Sequence, residues 1–452
     1  MQTATASQHP LWKTYLLFLA PMVLSNFLQS MSGTVNSIYI GQMLGTQALA
    51  AVSGMFPIVF FFIALVIGLG AGAGVLIGQA WGAREVHLVK AIAGATLMLG
   101  VLIGLVAAVV GSVFARSSLG LGTPADVLDD AVAYAHVMLW FMPTLLVFVL
   151  FTQLLRGVSD TMSPLLALVV STVIGLALTP ALIRGWLGLP PLGIQSAAFA
   201  GLAGNLAAMG WLAWRLIRRG HPLAPDREFF ASMKLDWGIL GKVLRIGLPT
   251  GLQMVVLSLS ELVILALVNQ HGSQATAAYG AVTQIVNYVQ FPALSIAITA
   301  SILGAQAIGA GRIERIGPIL KTGLMINVCL TGGLIVLGYV LSSWLLASFL
   351  TEETTLNMAE HLLHIMLWSL LVFGFQAIIG GIMRASGTVM VPVAISIVCV
   401  VGVQLPVAYL LDARFGLPGV WMAFPVAYLG MLALQTLYYK LVWQHQKIER
   451  LV

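Results

Sequence analysis

Long runs of apolar residues, separated by short polar segments, recur along the whole 452-residue chain. Each run holds roughly 20 residues or more, which is the length that an α-helix needs to cross a bilayer. The strands of a membrane barrel would instead alternate apolar and polar positions over about 10 residues, and these runs do not alternate. The pattern predicts twelve transmembrane helices, at approximately 14–40, 50–79, 88–114, 130–155, 163–185, 193–216, 241–269, 277–304, 317–344, 359–382, 391–411 and 418–441.

The composition supports an all-α integral membrane protein. Hydrophobic residues make up 60% of the chain and charged residues 8%, and the mean hydropathy is +1.00. A soluble domain carries about 25% charged residues. Cys329 and Cys399 both lie in apolar runs, so we expect buried free thiols, with no disulfide framework and no metal site. The net charge of +6 does not indicate a nucleic-acid partner, because its placement matters more than its size.

The positions of Lys and Arg orient the predicted spans. With both termini on the inside, all the basic residues fall on the inner side except Arg116, Arg184 and Arg414. Such an excess of basic residues on one side is the positive-inside pattern of membrane proteins, and it favours an even number of spans. We therefore expect a multi-pass protein of the inner membrane with both termini in the cytoplasm.

The chain repeats itself at a nearly constant offset. HVMLW at 136–140 recurs as HIMLW at 364–368, and Pro21, Arg156 and Pro164 recur at the same offset as Pro249, Arg384 and Pro392. Such repeats in transporters place the substrate site between or within the halves. The predicted domains are two six-helix lobes related by a pseudo-twofold axis, at 1–217 and 239–452, joined by a basic cytoplasmic segment at 218–238.

The predicted seventh span, within the apolar run at 247–272, carries Glu261 near its middle. An ionised carboxylate at the bilayer centre costs roughly 3 kcal/mol or more, so it persists where it faces a cavity, a partner or a proton. Two interpretations are open. Glu261 is a functional acid, or it is a carboxyl that stays protonated and hydrogen-bonded between helices, for example to Ser258.

Several motifs resemble those of the multidrug and toxic compound extrusion (MATE) transporters, in particular the bacterial NorM and DinF-like branches. The similar segments are NSIYIG at 36–41, ALAAV at 48–52, GQAWGA at 78–83, LRGVSDT at 155–161, TPALI at 179–183 and PLGI at 191–194. The resemblance covers nearly the whole chain. It implies the fold of the MOP superfamily, with two six-helix lobes, and the cation-coupled export of organic, often cationic, compounds.

The first predicted lobe departs from the family pattern. Much of the family has an Asp where this chain has Asn36, and an Asn and an Asp where it has Gly175 and Thr179. The acids that form a proton or sodium site in many relatives are therefore missing here. Gln29, Ser32 and Asn36 remain as a neutral polar stripe at helical spacing. They either bind a ligand or form hydrogen bonds to neighbouring helices.

The second predicted lobe departs in a different way. The sodium-coupled branch has a Glu at the position of Leu257, one turn before Glu261, and an Asp near Phe373. That sodium site therefore cannot be transferred to this chain. Gln284, Asn287 and Tyr288 share one face of the eighth span, because they follow i, i+3, i+4 spacing. We take these three residues, with Gln253, Gln376, Asn36 and Gln29, as candidate substrate contacts; Gln404 adds a further polar group in the same half.

A single acid of this kind suits an antiporter. Desolvation disfavours the charged form of a carboxyl, so the group can load and release a proton near physiological pH. When charged it attracts an organic cation, and when protonated it does not, so proton and drug compete. A sodium site normally needs several oxygen ligands, and protons are the favoured coupling ion, although sodium stays open. We expect no organic cofactor and a monomeric transporter.

Other interpretations remain open. His136 and His364 occupy equivalent places near the outer ends of spans four and ten. Each is a proton relay or a side chain satisfied by a backbone carbonyl. An exporter of lipid-linked or polysaccharide substrates would need buried cations to hold phosphate, and we expect no buried Lys or Arg within the spans. An intramembrane enzyme would need a set of catalytic groups that the sequence does not show. The glycines at 68–74, GLGAGAG, indicate close helix packing rather than a phosphate loop.

Overall fold

The computed structural model describes residues 10–120, 128–188 and 190–452, and within them every regular element is helical. Twelve helices are long and apolar enough to cross a membrane, which confirms the predicted number and the all-α class. The spans are Leu11–Leu44, Thr46–Gly82, Val86–Leu119, Leu128–Gly157, Met162–Arg184, Ser196–Arg218, Trp237–Asn269, Ser273–Gly309, Ile316–Val340, Glu353–Ala385, Met390–Phe415 and Leu417–Leu441.

The shorter elements lie between these spans or after the last one. They are the α-helices Arg227–Ser232 and Ser342–Ala347 and the 3₁₀ turns Trp186–Gly188, Gly193–Gln195, Ile313–Arg315 and Trp443–His445. The hydropathy pattern does not predict the helix Arg227–Ser232. Asp226 begins it as an N-cap, because its Oδ1 accepts the Phe229 amide at 2.7 Å, and the Phe229 side chain is buried. Span nine ends at Val340, earlier than predicted.

Two of the spans depart from a regular α-helix. Span ten is interrupted at Trp368, between the helices Glu353–Leu367 and Ser369–Ala385. Span eleven widens into a π-helical turn over Val400–Gln404. Pro406 follows that turn and has no amide to donate to the ladder, which accounts for the local change in hydrogen bonding.

The described residues form two compact units. Unit 1 comprises 24–81 and 85–251, and unit 2 comprises 10–23, 82–84 and 252–452. Span one therefore changes unit after Val23 and span seven after Gly251, at positions that correspond in the sequence repeat. The predicted lobes at 1–217 and 239–452 stay a prediction, since the compact units exchange the beginnings of these two spans.

The first parts of spans one and seven are each held by specific contacts within the unit to which they belong. In unit 2, the fully buried Tyr15 donates from its hydroxyl to the Ile319 carbonyl at 3.0 Å. In unit 1, span two packs against span seven at glycines. A Cβ on Gly68 would meet the Gly251 Cα at 2.6 Å, and a Cβ on Gly72 would meet the Val243 carbonyl oxygen at 2.7 Å. The glycines at these positions therefore allow backbone-to-backbone packing, as the sequence predicts.

Backbone turns at corresponding positions support the internal repeat. Arg84 and Gly311 have φ values of 64° and 71°, and each follows a long span. Ser159 and Gly387 form a second corresponding pair, with φ values of 66° and 83°. The two copies thus use the same left-handed turns, although only the second copy has the glycine that suits them.

Candidate functional site

Glu261 lies in span seven, eight residues before that helix ends at Asn269, or about 12 Å along the helix axis. Its side chain is exposed in unit 2. The carboxylate lies within electrostatic range of two phenol groups, those of Tyr279 on span eight and Tyr428 on span twelve. The acid that the sequence singles out therefore interacts electrostatically with tyrosines from two other spans.

Both tyrosines belong to an aromatic cluster inside unit 2. The ring of Tyr279 packs edge-on against Trp421, with centroids 5.2 Å apart, and Tyr428 packs against Phe373 at 5.2 Å. We call Tyr279, Trp421, Phe373 and Tyr428 the aromatic cluster. The sequence prediction did not include it, because each ring by itself resembles ordinary core filling. A carboxylate beside aromatic rings is a suitable environment for an organic cation.

Four further polar candidates for substrate contacts lie in unit 2. Gln253, Gln284, Asn287 and Tyr288 are all half-buried. The ring of Tyr288 packs edge-on against Phe291, with centroids 6.5 Å apart. Their role as substrate contacts stays a prediction.

Gln376 is placed differently from those side chains. It is buried, and its Oε1 accepts a hydrogen bond of 3.2 Å from Gln435 Nε2, which also lies 3.4 Å from Ser396 Oγ. Gln404 is likewise buried, in the π-helical turn of span eleven. In this structure Gln376 belongs to a buried polar network between spans ten, eleven and twelve.

The three positions at which the first repeat departs from the family pattern meet in unit 1. Asn36 Oδ1 lies 3.2 Å from the Thr179 hydroxyl, which donates to the Gly175 carbonyl at 2.8 Å. Gln29 is exposed on the same span as Asn36. The contact between spans one and five is neutral, so polar groups without charge occupy the place of the expected acids.

The two equivalent histidines have different surroundings. His136 is exposed. His364 is half-buried, its Nε2 lies 3.1 Å from Ser342 Oγ, and its backbone carbonyl accepts the Tyr339 hydroxyl at 2.8 Å. The relay role that the sequence suggests for both stays a prediction.

Two sequence expectations are wrong. Cys329 is exposed rather than buried, while Cys399 is buried as expected. Lys90 is buried within span three, although the apolar pattern suggested that the spans hold no buried cation. Its Nζ pairs with Asp226 Oδ2 at 2.9 Å and with Glu228, and these acids come from the segment that joins spans six and seven.

We call Lys90, Asp226 and Glu228 the Lys90 cluster. Its hydrogen bonds from the ammonium lower the pKa of the Asp226 carboxyl and the pKa of the Glu228 carboxyl. The Lys90 charge is therefore compensated by two carboxylates. The pattern missed the pairing because the partners lie 136 and 138 residues away in sequence.

The class defined by these features is a polytopic, all-helical membrane protein with an internal repeat. The family model described as MatE matches the chain twice, at residues 21–181 and 249–410. The two matches begin at Pro21 and Pro249, which correspond to each other in the sequence repeat. The chain belongs to the MatE family, which confirms the family resemblance.

Relatives in sequence cover the chain from end to end. The probable multidrug resistance protein YoeA of Bacillus subtilis (strain 168) is 42% identical over 100% of this chain and 98% of its own length. The multidrug export protein MepA of Staphylococcus aureus (strain MRSA252) is 24% identical over 96% of this chain and 94% of its own length.

Solved structures share the fold. An outward-facing multidrug resistance MATE family transporter of the MOP superfamily matches with a TM-score of 0.87 at 21% identity, over 96% of each chain. The bent form of the Vibrio cholerae MATE transporter VcmN matches with a TM-score of 0.85 at 21% identity, over 95% of this chain and 96% of that one. The family and its relatives are transporters, so the chain is a membrane transporter rather than an enzyme.

Proposed function

We propose that this transporter exports organic, mostly cationic compounds from the cell by cation-coupled antiport, and that Glu261 is the coupling acid. The observation that carries the proposal is the exposed Glu261 carboxylate beside the phenols of Tyr279 and Tyr428. The names of YoeA and MepA, which describe multidrug resistance and export, support the substrate class.

The aromatic cluster accounts for the breadth of substrates. A cation over an aromatic face gains about 0.5–2 kcal/mol, and this attraction depends little on the shape of the molecule that carries the charge. The carboxylate adds a charge that selects for cations. Gln253, Gln284, Asn287 and Tyr288 would supply further polar contacts, and Gln376 would join them once its bond with Gln435 opens.

Coupling follows from competition for one group. A proton on Glu261 removes the charge that attracts the cation, so binding of substrate and binding of a proton exclude each other, and uptake of a proton drives release of substrate. Within the part of the chain that the structure describes, no cluster of three or more Asp, Glu, His or Cys side chains forms a metal site. We propose protons as the coupling ion, because a sodium site normally needs several oxygen ligands and Glu261 is a single acid. The coupling energy is about 2.3 kcal/mol per charge per 100 mV.

The remaining expectations belong to the same proposal. The transporter works as a monomer in the inner membrane, with both termini in the cytoplasm, and needs no organic cofactor. Asn36 and Gln29 offer neutral contacts in unit 1, and His136 and His364 are proton-relay candidates. Export of lipid-linked or polysaccharide substrates is less well supported, because the buried Lys90 is already paired with Asp226 and Glu228.

The test measures export of the fluorescent cation ethidium in inverted vesicles, under imposed proton or sodium gradients. We expect wild type to respond to the proton gradient and Glu261→Gln to lose this response. Glu353→Gln is the control, because Glu353 is an exposed carboxyl at the first residue of span ten. Unchanged export by Glu261→Gln would contradict the assignment of the coupling acid.

A second arm separates the aromatic cluster from the acid. Tyr428→Phe keeps the ring, so ethidium affinity should change little. Tyr428→Leu removes the ring and should weaken it by about fivefold or more. An equal loss of ethidium affinity in both variants would show that the hydroxyl, rather than the ring, contacts the substrate.

A further inference from the structure

The segment between spans six and seven runs beside the spans rather than beyond their ends. The ring of Phe229 packs against Phe151 of span four, with centroids 6.2 Å apart. The backbone of Ser232 lies so close to Gly94 of span three that a Cβ there would meet it at 2.6 Å. Gly94 is eight residues from the start of span three, or about 12 Å along the helix.

That depth corresponds to the edge of the hydrocarbon core. Span three has 34 residues and is therefore about 51 Å long. A hydrocarbon core of about 30 Å leaves roughly 10 Å of a centred helix projecting on each side. The helix Arg227–Ser232 thus lies where lipid headgroups meet acyl chains. The Lys90 cluster and the buried Phe229 hold it there.

Large apolar side chains are exposed along the segment and at the start of span seven. Phe230 is 61% exposed and Trp237 is 72% exposed, and Leu235 is also exposed. Trp is enriched at membrane interfaces, where its ring spans the boundary between apolar and polar layers. Exposed rings at the end of a membrane span fit a lipid surface better than water.

Basic side chains lie among these apolar groups. Lys234 and Arg245 are exposed. Arg245 follows Trp237 by eight residues, so it lies on the same face of span seven as Trp237 and the exposed Leu248. We call Phe230, Lys234, Leu235, Trp237 and Arg245 the connector patch.

Of the three nearby acids, two are paired with Lys90 and one lies within the patch. Asp226 and Glu228 accept hydrogen bonds from Lys90. Asp236 Oδ1 accepts the amides of Gly238 and Ile239 at the start of span seven, at 2.9 and 3.2 Å. Lys234 and Arg245 outnumber Asp236, so this apolar, aromatic surface has a net charge of +1 and complements a phosphate with acyl chains.

We infer that the connector patch binds the headgroup of an anionic phospholipid in the leaflet at this end of the spans. Lys234 and Arg245 contact the phosphate, and Trp237, which lies about 12 Å nearer the start of span seven than Arg245, contacts the headgroup on its water side. Phe230 and Leu235, with Leu248 one turn deeper than Arg245, contact the acyl chains. Bound lipid would hold the segment against spans three and four from its exposed face, as the Lys90 cluster does from its buried face.

Native mass spectrometry of the purified full chain tests this with dioctanoyl phosphatidylglycerol and dioctanoyl phosphatidylcholine. Wild type should bind the anionic lipid at least tenfold more tightly. Arg245→Gln should weaken binding of the anionic lipid about fivefold, and the double variant Arg245→Gln with Lys234→Gln should weaken it about 25-fold. Arg245→Lys should keep most of the affinity, because it keeps the charge. Lys321→Gln is the matched control. It removes an exposed charge five residues after span nine begins at Ile316, outside the connector patch, and should change little.

Three results would overturn the inference. Wild type could bind both lipids equally, which needs no variant to establish. Lys321→Gln could lose as much affinity for the anionic lipid as Arg245→Gln, which would mean that any exposed charge supports lipid binding. The patch variants could convert a dimer to a monomer in the same spectra, which would make a second copy of the chain the occupant. If Arg245→Gln does not fold, Lys234→Gln, which lies outside any helix, carries the same comparison.

Discussion

Removing Lys90 and removing its two carboxylate partners should have unequal effects on the helix Arg227–Ser232. The Lys90 side chain is 9% exposed, whereas its carboxylate partners are 48% exposed. Lys90→Met leaves carboxylates that water can reach. The free energy that stabilises the helix should therefore fall by the value of a surface ion pair, about 0.5–1 kcal/mol. This corresponds to a two- to fivefold increase in local opening of the helix.

The variant Asp226→Asn with Glu228→Gln leaves the ammonium behind without a partner. An uncompensated charge that is fully buried costs about 3–5 kcal/mol. Because Lys90 lies only four residues from the start of span three, we expect partial access of water and a cost nearer about 2 kcal/mol. Opening should then rise about 30-fold. The Asn at position 226 still accepts the Phe229 amide, so the helix cap is kept.

Hydrogen–deuterium exchange of the full chain, read at the amides of Phe229, Phe230 and Met233, measures this opening. Arg116→Met is the control for loss of a charge from an exposed pair, because Arg116 and Asp129 are 67% and 83% exposed. It should leave these amides unchanged. The reasoning fails if Lys90→Met opens the helix as much as, or more than, the double carboxyl variant.

Three further measurements follow from the structure. Gly68→Ala should lower the thermal stability by about 1–3 kcal/mol, because the added Cβ meets backbone, while Gly33→Ala, which has open space, should not. Asn36→Asp should add a second titrating step to the pH profile of ethidium export, and an unchanged profile would mean that this contact takes no part. The fold lowers the pKa values of Asp226 and Glu228, so the protection of their segment from hydrogen exchange should be complete above the ordinary carboxyl pKa. It should be lost as the pH falls through those lowered values. Lys90→Met should remove this pH dependence.

Local pattern alone was enough for the architecture of the spans. An apolar run of about 20 residues has one stable form in a bilayer, because a helix satisfies its own backbone hydrogen bonds. The number of spans, the repeat and the unusual position of Glu261 could all be recognised from the order of residues along the chain. The short helix Arg227–Ser232 was missed because it depends on a cap and on one buried Phe, and neither produces a hydrophobic period.

Tertiary structure decided which of these residues meet. Membrane spans have similar apolar surfaces, so hydropathy carries no information about which neighbours they choose. Asn36 and Thr179 were each recognised as departures from the family pattern, but only the fold brings them to 3.2 Å. The pairing of Lys90 with Asp226 spans 136 residues, and it reversed the expectation that the spans bury no cation. The sequence thus determined that Glu261 lies within a membrane span. Only the packing of spans seven, eight and twelve brought it within electrostatic range of Tyr279 and Tyr428, because contacts between distant segments depend on how helices pack rather than on what each one contains.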